Sequence, residues 1–258
     1  MTGNGAPRPT AFLVAMVTLA VLACAGFAAL GNWQIARRAW KLDLIARVEQ
    51  RVHAAPVVAP GIDAWPRVSA ASDEYRRVRV EGNFHHDREV LVHASTELGS
   101  GYWVLTPLQT ADDAVVLVNR GFVPPERRER ATRAAGEPIG AVNVTGLLRI
   151  SEPDGGFLRR NDPATNRWYS RDVQAIAKAY GWTRVAPYFI DADAASPQAM
   201  PDHGTWPAGG LTVTAFDNSH LAYAITWYGL AAMVAMAAGH LIGAERRLRR
   251  RRVALSRS

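Results

Sequence analysis

The sequence predicts an α+β membrane protein, with two terminal transmembrane helices bracketing a sheet-dominated extracytoplasmic domain that holds one or two helices. Three observations lead there. Two long charge-free runs stand near the chain ends, Pro9 to Ala36 and Asn218 to Ala244. Between them the hydrophobic period changes to two, and an arginine cluster follows the second run. The implied boundaries are a cytoplasmic N-terminus over 1–9, a first span over 10–31, a periplasmic β-rich domain over 32–217, a second span over 218–244 and a cytoplasmic tail over 245–258.

The first span reads TAFLVAMVTLAVLACAGFAAL from Thr10 to Leu30. As a helix it rises about 31 Å, against a hydrocarbon core of about 30 Å. Ala23 and Ala25 form an A-x-A and the residues before Cys24 faintly resemble a lipoprotein site, so a cleaved signal peptide competes. Only Arg8 and the amino terminus precede the run, and the run exceeds an ordinary h-region, which favours an uncleaved anchor. Small residues recur every four positions at Ala20, Cys24 and Ala28, and at Ala231, Ala235, Gly239 and Gly243, a pattern that lets two spans pack closely. Gly31 to Val52 continues helically, with Trp33, Trp40, Leu44 and Val48 near one face and the two indoles suited to the headgroup zone.

Residues 54–66 (AAPVVAPGIDAWP) read as a proline-broken linker. Strands follow at Tyr75–Val80, Glu89–His93, Trp103–Leu108, Ala114–Asn119, Val142–Arg149 and Pro187–Asp191, with Asp112-Asp113 at a hairpin turn. One short helix, Asp172 to Tyr180, begins beside an acid and ends at Gly181.

The chain of 258 residues carries a formal charge of +7. Residues 245–258 hold seven arginines and one acid, leaving 23 basic against 22 acidic residues elsewhere. The basic excess therefore describes a tail and excludes a nucleic-acid-binding surface. A single cysteine, Cys24, excludes an intramolecular disulfide, a zinc ribbon, a C-x-x-C redox pair and a C-x-x-C-H haem attachment. For orientation, Arg37, Arg38, Lys41, Arg47 and Arg51 after the first span oppose the denser arginine tail after the second. A long loop is exempt from simple counting, so the tail places both termini in the cytoplasm.

Enzyme signatures are missing from the sequence: there is no G-x-S-x-G, no H-E-x-x-H and no phosphate-binding glycine loop. His85, His86 and His93 lie in FHHDREVLVH; on a continuous strand the first two point to opposite faces and do not chelate together. His220 stands apart, because it opens the second span in NSHLAYAITWYGL, where a titratable group usually faces a partner or cavity. On a helix, Ala224 and Trp227 follow on its face and Tyr223 and Tyr228 flank it. A histidine above a small residue and bordered by aromatics can take a flat macrocycle through its iron; an interfacial histidine whose ring reaches toward water is the alternative. His240, at the other end, has a weaker claim.

Seven segments in order resemble the Surfeit-locus cytochrome oxidase assembly factor family (Surf/Shy proteins). They are GNWQIARRAWK (31–41), YRRVRVEGNF (75–84), GYWVLTPL (101–108), VLVNRGFVP (116–124), NDPATNRWYSRDV (161–173), APYFID (186–191) and NSHLAYAITWYGL (218–230). The resemblance implies a non-enzymatic role in maturing haem-copper cytochrome c oxidase, from the bacterial inner membrane, with haem a bound transiently. The position of the family's proposed axial ligand corresponds to His220. Expected partners are the oxidase catalytic subunit, a haem a synthase as donor, and membrane lipid. Arg120, in NRGF, is a candidate for a haem carboxylate, against a structural ion pair, and Gly121 beside it for a special backbone angle. Haem modification would need further intramembrane ligands, and a copper chaperone would need thiolates outside the membrane. The rival expectation is a scaffold that stabilises an oxidase intermediate without touching haem.

Overall fold

The computed structural model describes residues 8–156, 159–194, 206–212 and 218–255. Among them the α-helices are α1 (Thr10–His53), α2 (Ala70–Asp73), α3 (Val173–Tyr180) and α4 (His220–Leu255). The strands are β1 (Val57–Val58), β2 (Arg77–Phe84), β3 (Val90–Thr96), β4 (Gly99–Gln109), β5 (Val115–Val123), β6 (Ala141–Ile150) and β7 (Val185–Ala192). The chain divides into two compact units, Met1–Ile45 with Ala215–Ser258, and Ala46–Thr214.

In the first unit, α1 and α4 are each long and apolar enough to cross a membrane. Both outrun their apolar parts: α1 extends 44 residues and α4 continues through the arginine cluster to Leu255. The helices meet along stripes at spacings of three and four. Ala20, Cys24, Phe27, Gly31 and Gln34 on α1 face His220, Ala224, Trp227, Ala231 and Val234 on α4. Phe27 stacks on Trp227 with ring centres 5.8 Å apart, and the Cys24 thiol donates to the Ala231 carbonyl at 3.3 Å. Gly31 is buried, and a methyl group there would lie 2.7 Å from the Tyr228 ring.

The expected stripe on α4 is corrected. Ala231 faces α1, but Ala235 and Gly239 are exposed, and a Cβ at Gly239 or Gly243 would meet nothing within 4 Å. A strict four-residue spacing drifts by about 40° per step at 3.6 residues per turn, so three steps carry it off the seam. At the far end, buried Glu245 accepts from the Arg8 backbone N–H at 2.9 Å and faces the Arg249 guanidinium at 3.4 Å.

The second unit is a mixed sheet in the order β1-β2-β6-β7-β5-β4-β3. A further pairing of β2 with β4, at Asn83↔Gln109 and Phe84↔Leu108, closes β2, β6, β7, β5 and β4 into a small barrel. Alternation decides what fills it. Val78 and Val80 on β2, Val116 and Val118 on β5, and Tyr188 and Ile190 on β7 point into one core. The opposite face of β3, β4, β5 and β7 holds Val90, Leu105, Leu117 and Phe189, covered by Val173 and Ile176 of α3 and by fully buried Trp168. Helix α3 starts where expected: Asp172 accepts from the Ala175 N–H at 3.0 Å, and Gly181 ends it at φ 69°.

All six expected strands are present, with their ends moved by a few residues. Residues 54–66 are not a loose linker. Val57 pairs in parallel with Val78, the Ala59 N–H donates to the Arg79 carbonyl, and Pro60 accepts from both Trp65 Nε1 at 2.9 Å and the Tyr188 hydroxyl at 2.7 Å. Proline lacks only a donor, so its carbonyl still anchors the segment to the barrel. FHHDREVLVH is likewise not one strand, because a 3-10 turn at His86–Arg88 separates β2 from β3.

Polar groups are concentrated around Asp191, which is 4% exposed. It accepts from Asn119 Nδ2 at 2.7 Å and from Arg149, Arg171 and Thr212 at 3.0 Å each. Arg149 also reaches Glu74 at 2.7 Å and Arg171 reaches Glu152 at 2.5 Å. Burial alone would raise the Glu152 carboxyl, but hydrogen bonding and charge from Arg171 outweigh it and hold it below the ordinary carboxylate range.

Candidate functional site

The first turns of α4 present His220 toward Gln34 of α1. His220 Nδ1 and Gln34 Oε1 are 2.7 Å apart. The amide oxygen accepts only, so Nδ1 carries the proton and the lone pair of the neutral ring stands on Nε2. Nε2 makes no hydrogen bond among the described residues. Eight positions further along α4 the same two helices are tied again, by the Tyr228 hydroxyl donating to Asn32 Oδ1 at 2.6 Å.

Two residues before the histidine, the Asn218 amide has both polar atoms out of solvent and no hydrogen-bond partner among the described residues. Buried amides of that kind ordinarily find a partner.

Of the four α4 residues expected around a cofactor, Ala224, Trp227 and Tyr228 are engaged with α1 and Tyr223 is not. Ala224 is 1% exposed on the face that packs against α1, and Trp227 is committed to Phe27. Tyr223, 55% exposed, lies on one flank of that face, and exposed Leu221 and Ile225 lie on the other, because a two-residue step turns the helix by about 200°. A half-buried imidazole with one nitrogen fixed and the other available can ligate a metal through Nε2. Among the described residues there is no cluster of three or more histidines, cysteines or carboxylates that would hold a bare metal ion. His240 is exposed on α4.

Arg120 belongs to the other unit. Its guanidinium donates to the Gly136 carbonyl, lies 3.3 Å from His86 Nδ1 and sits over the Phe84 ring. Burial lowers its pKa, a drift partly opposed by Glu137 and Glu89. It thereby ties β5 to the segment before β6. Gly121 next to it has φ 132°, and a Cβ there would fall 2.1 Å from the Ala208 carbonyl oxygen, so the expected backbone requirement is present.

Sequence reasoning did not find Gln34, Asn32 or Phe27. A signal existed: Asn32 and Gln34 are amides at the end of an otherwise apolar run, where a polar side chain needs a partner. Asn119, Arg171 and Asp191 also lay inside motif segments without being singled out.

The profile of the SURF1 family matches residues 21–232. Mouse Surfeit locus protein 1 is 39% identical over 222 residues, covering 79% of this chain and 68% of the mouse protein. The human Surfeit locus protein 1 is 39% identical over 222 residues, covering 79% and 69%. The Drosophila melanogaster SURF1-like protein is 34% identical over 221 residues with the same coverage. The matched range takes in α1 from Val21 onward, the whole barrel and the first turns of α4, and on these grounds the chain belongs to the SURF1 family.

Proposed function

We propose that this chain is a membrane-anchored assembly factor for haem-copper cytochrome c oxidase that holds haem a through Nε2 of His220 and helps deliver it to the catalytic subunit. The observation that carries this reading is the Nδ1 hydrogen bond to Gln34, which fixes the tautomer and orientation a ligating imidazole needs. Asn218 offers an unpaired amide to the polar edge of the macrocycle. Exposed Leu221 and Ile225 offer apolar surface to its isoprenoid tail, whose burial in the bilayer is worth about 0.8 kcal/mol per methylene. Tyr223 borders the macrocycle, while Ala224 and Trp227 keep α4 seated on α1. Arg120, committed inside the β unit, is not needed for ligation.

A carrier must release its cargo. One protein ligand holds iron more loosely than two, so a lone His220 is compatible with transfer. In this proposal α1 and α4 span the bacterial cell membrane, the β unit is periplasmic, the arginine tail is cytoplasmic and a haem a synthase supplies the haem.

The rival is a scaffold that stabilises an oxidase intermediate without haem. Cells in which His220→Ala replaces the wild type separate the two. The carrier mechanism expects the haem a content of purified oxidase to fall severalfold with the variant still in the membrane. Unchanged oxidase haem would transfer the function to the scaffold.

A further inference from the structure

The β unit is close to neutral, with 19 basic and 20 acidic residues between Ala46 and Thr214. Most of its buried arginines are matched by carboxylates, as Arg133 is by Glu89 and Arg171 by Glu152 and Asp191. Exposed arginines of the unit are often without an ion pair among the described residues, and three of them gather on one surface. Around His93, at the free side of β3, stand Arg128, Arg159 and Arg167, and none of the three is in an ion pair among the described residues.

The rings there form a ladder. His93 stacks on Tyr169 with centroids 4.9 Å apart and an interplanar angle of 13°, and it also meets Tyr102 at 4.8 Å, tilted by 48°. Arg159 lies over Tyr169 at 5.4 Å and Arg128 over Tyr102 at 5.3 Å. Arg159 lines a cleft of about 380 Å³ together with His93, Tyr102, Tyr169, Ser95 and Ser100, and Arg128 is held over the Tyr102 ring at its border. Burial, followed by the charges of Arg159, Arg128 and Arg167, keeps the His93 pKa below its ordinary value, so the cleft rejects one more positive charge.

The backbone adds direction. β3 is the last strand of the sheet, and on its outer side the His93 N–H donates to the Trp168 carbonyl at 2.8 Å. Period two turns the main-chain groups of Ser95 the same way, and no described segment pairs with β3 beyond that single bridge. A positive cleft therefore adjoins an open strand edge.

We propose that this edge is a docking site for an extended, acidic segment of a partner protein, which adds to β3 beside Ser95 and places carboxylates between Arg128 and Arg159. Main-chain pairing supplies affinity and the arginines select for acid. The site lies wholly in the β unit and is independent of the haem proposal.

The test uses the full chain in detergent with isotope-labelled histidine, the His93 signal being assigned by its loss in His93→Gln. The probes are a capped Val-Glu-Val-Glu-Val-Glu peptide, its Val-Gln counterpart and inorganic phosphate. A signal local to His93 is read so that peptide held by the arginine tail does not register. The acidic peptide is expected to shift the His93 resonance and raise its pKa, with the midpoint about tenfold weaker in Arg128→Gln/Arg159→Gln and no response to the glutamine peptide. Both substitutions are at exposed side chains, and circular dichroism confirms the fold. An equal response to the glutamine peptide, no response to the acidic one, or indifference to the arginine substitutions would overturn the proposal. A phosphate response as strong as that of the acidic peptide would replace it with a simple oxyanion site.

Discussion

His220 derives its chemical character from Gln34. Without that amide the imidazole can exchange tautomers and rotate; with it, Nδ1 is occupied and Nε2 is the only nitrogen left for a ligand. Position within an apolar span was enough to single out the histidine from sequence, whereas its partner lay 186 residues away and only helix packing could reveal it. Asp191 was hidden for a similar reason. It reads as an ordinary residue at the end of a strand, yet it compensates two guanidinium groups that are each only about 14% exposed. Removing one member of such a buried cluster costs about 3–5 kcal/mol, because the remaining charges lose their counter-ion out of water. Asp191→Ala is therefore expected to lose that much in chemical denaturation of the full chain, followed by the strand signal in circular dichroism. Since a domain holds only about 5–15 kcal/mol, this single change consumes much of its stability.

At the scale of elements, what was legible followed from periodicity. Alternation located six of the seven described strands, β1 being missed, and the acid and glycine flanking 173–180 located the helix between them, because these signals are local. The anchoring of 54–66 was not legible, since a carbonyl accepting from Trp65 and Tyr188 leaves no trace in the residue type that carries it. Nor was barrel closure, which rests on two residue pairs between β2 and β4. The seam between α1 and α4 lies between these extremes: small residues announced it, but on α4 a fixed four-residue spacing held only at Ala231 and left the seam at Ala235 and Gly239. A paired substitution checks the corrected seam. Gly31→Ala is expected to displace the Tyr228 ring and break its bond to Asn32, costing about 1 kcal/mol in thermal unfolding in detergent. Gly239→Ala, where the new methyl group meets nothing within 4 Å, is expected to be neutral or slightly stabilising. Equal effects at the two positions would contradict this seam.

Taken as a whole, the molecule holds two distinct features. A pair of apolar helices carries His220 with Nδ1 against Gln34, and a nearly neutral barrel stiffened by the Asp191 cluster carries Arg128 and Arg159 at the ring cluster around His93. The formal charge of +7 belongs mainly to the arginine cluster at the end of the chain, most of it on the helical extension of α4. The central claim is that haem a is ligated at His220. The most direct measurement is the reduced absorption spectrum of the full chain, purified in detergent from cells that make haem a, beside that of His220→Ala. The account predicts a haem a band in the wild type that the substitution abolishes while the circular dichroism stays unchanged. A folded but colourless wild type, or a band that survives in His220→Ala, would contradict it.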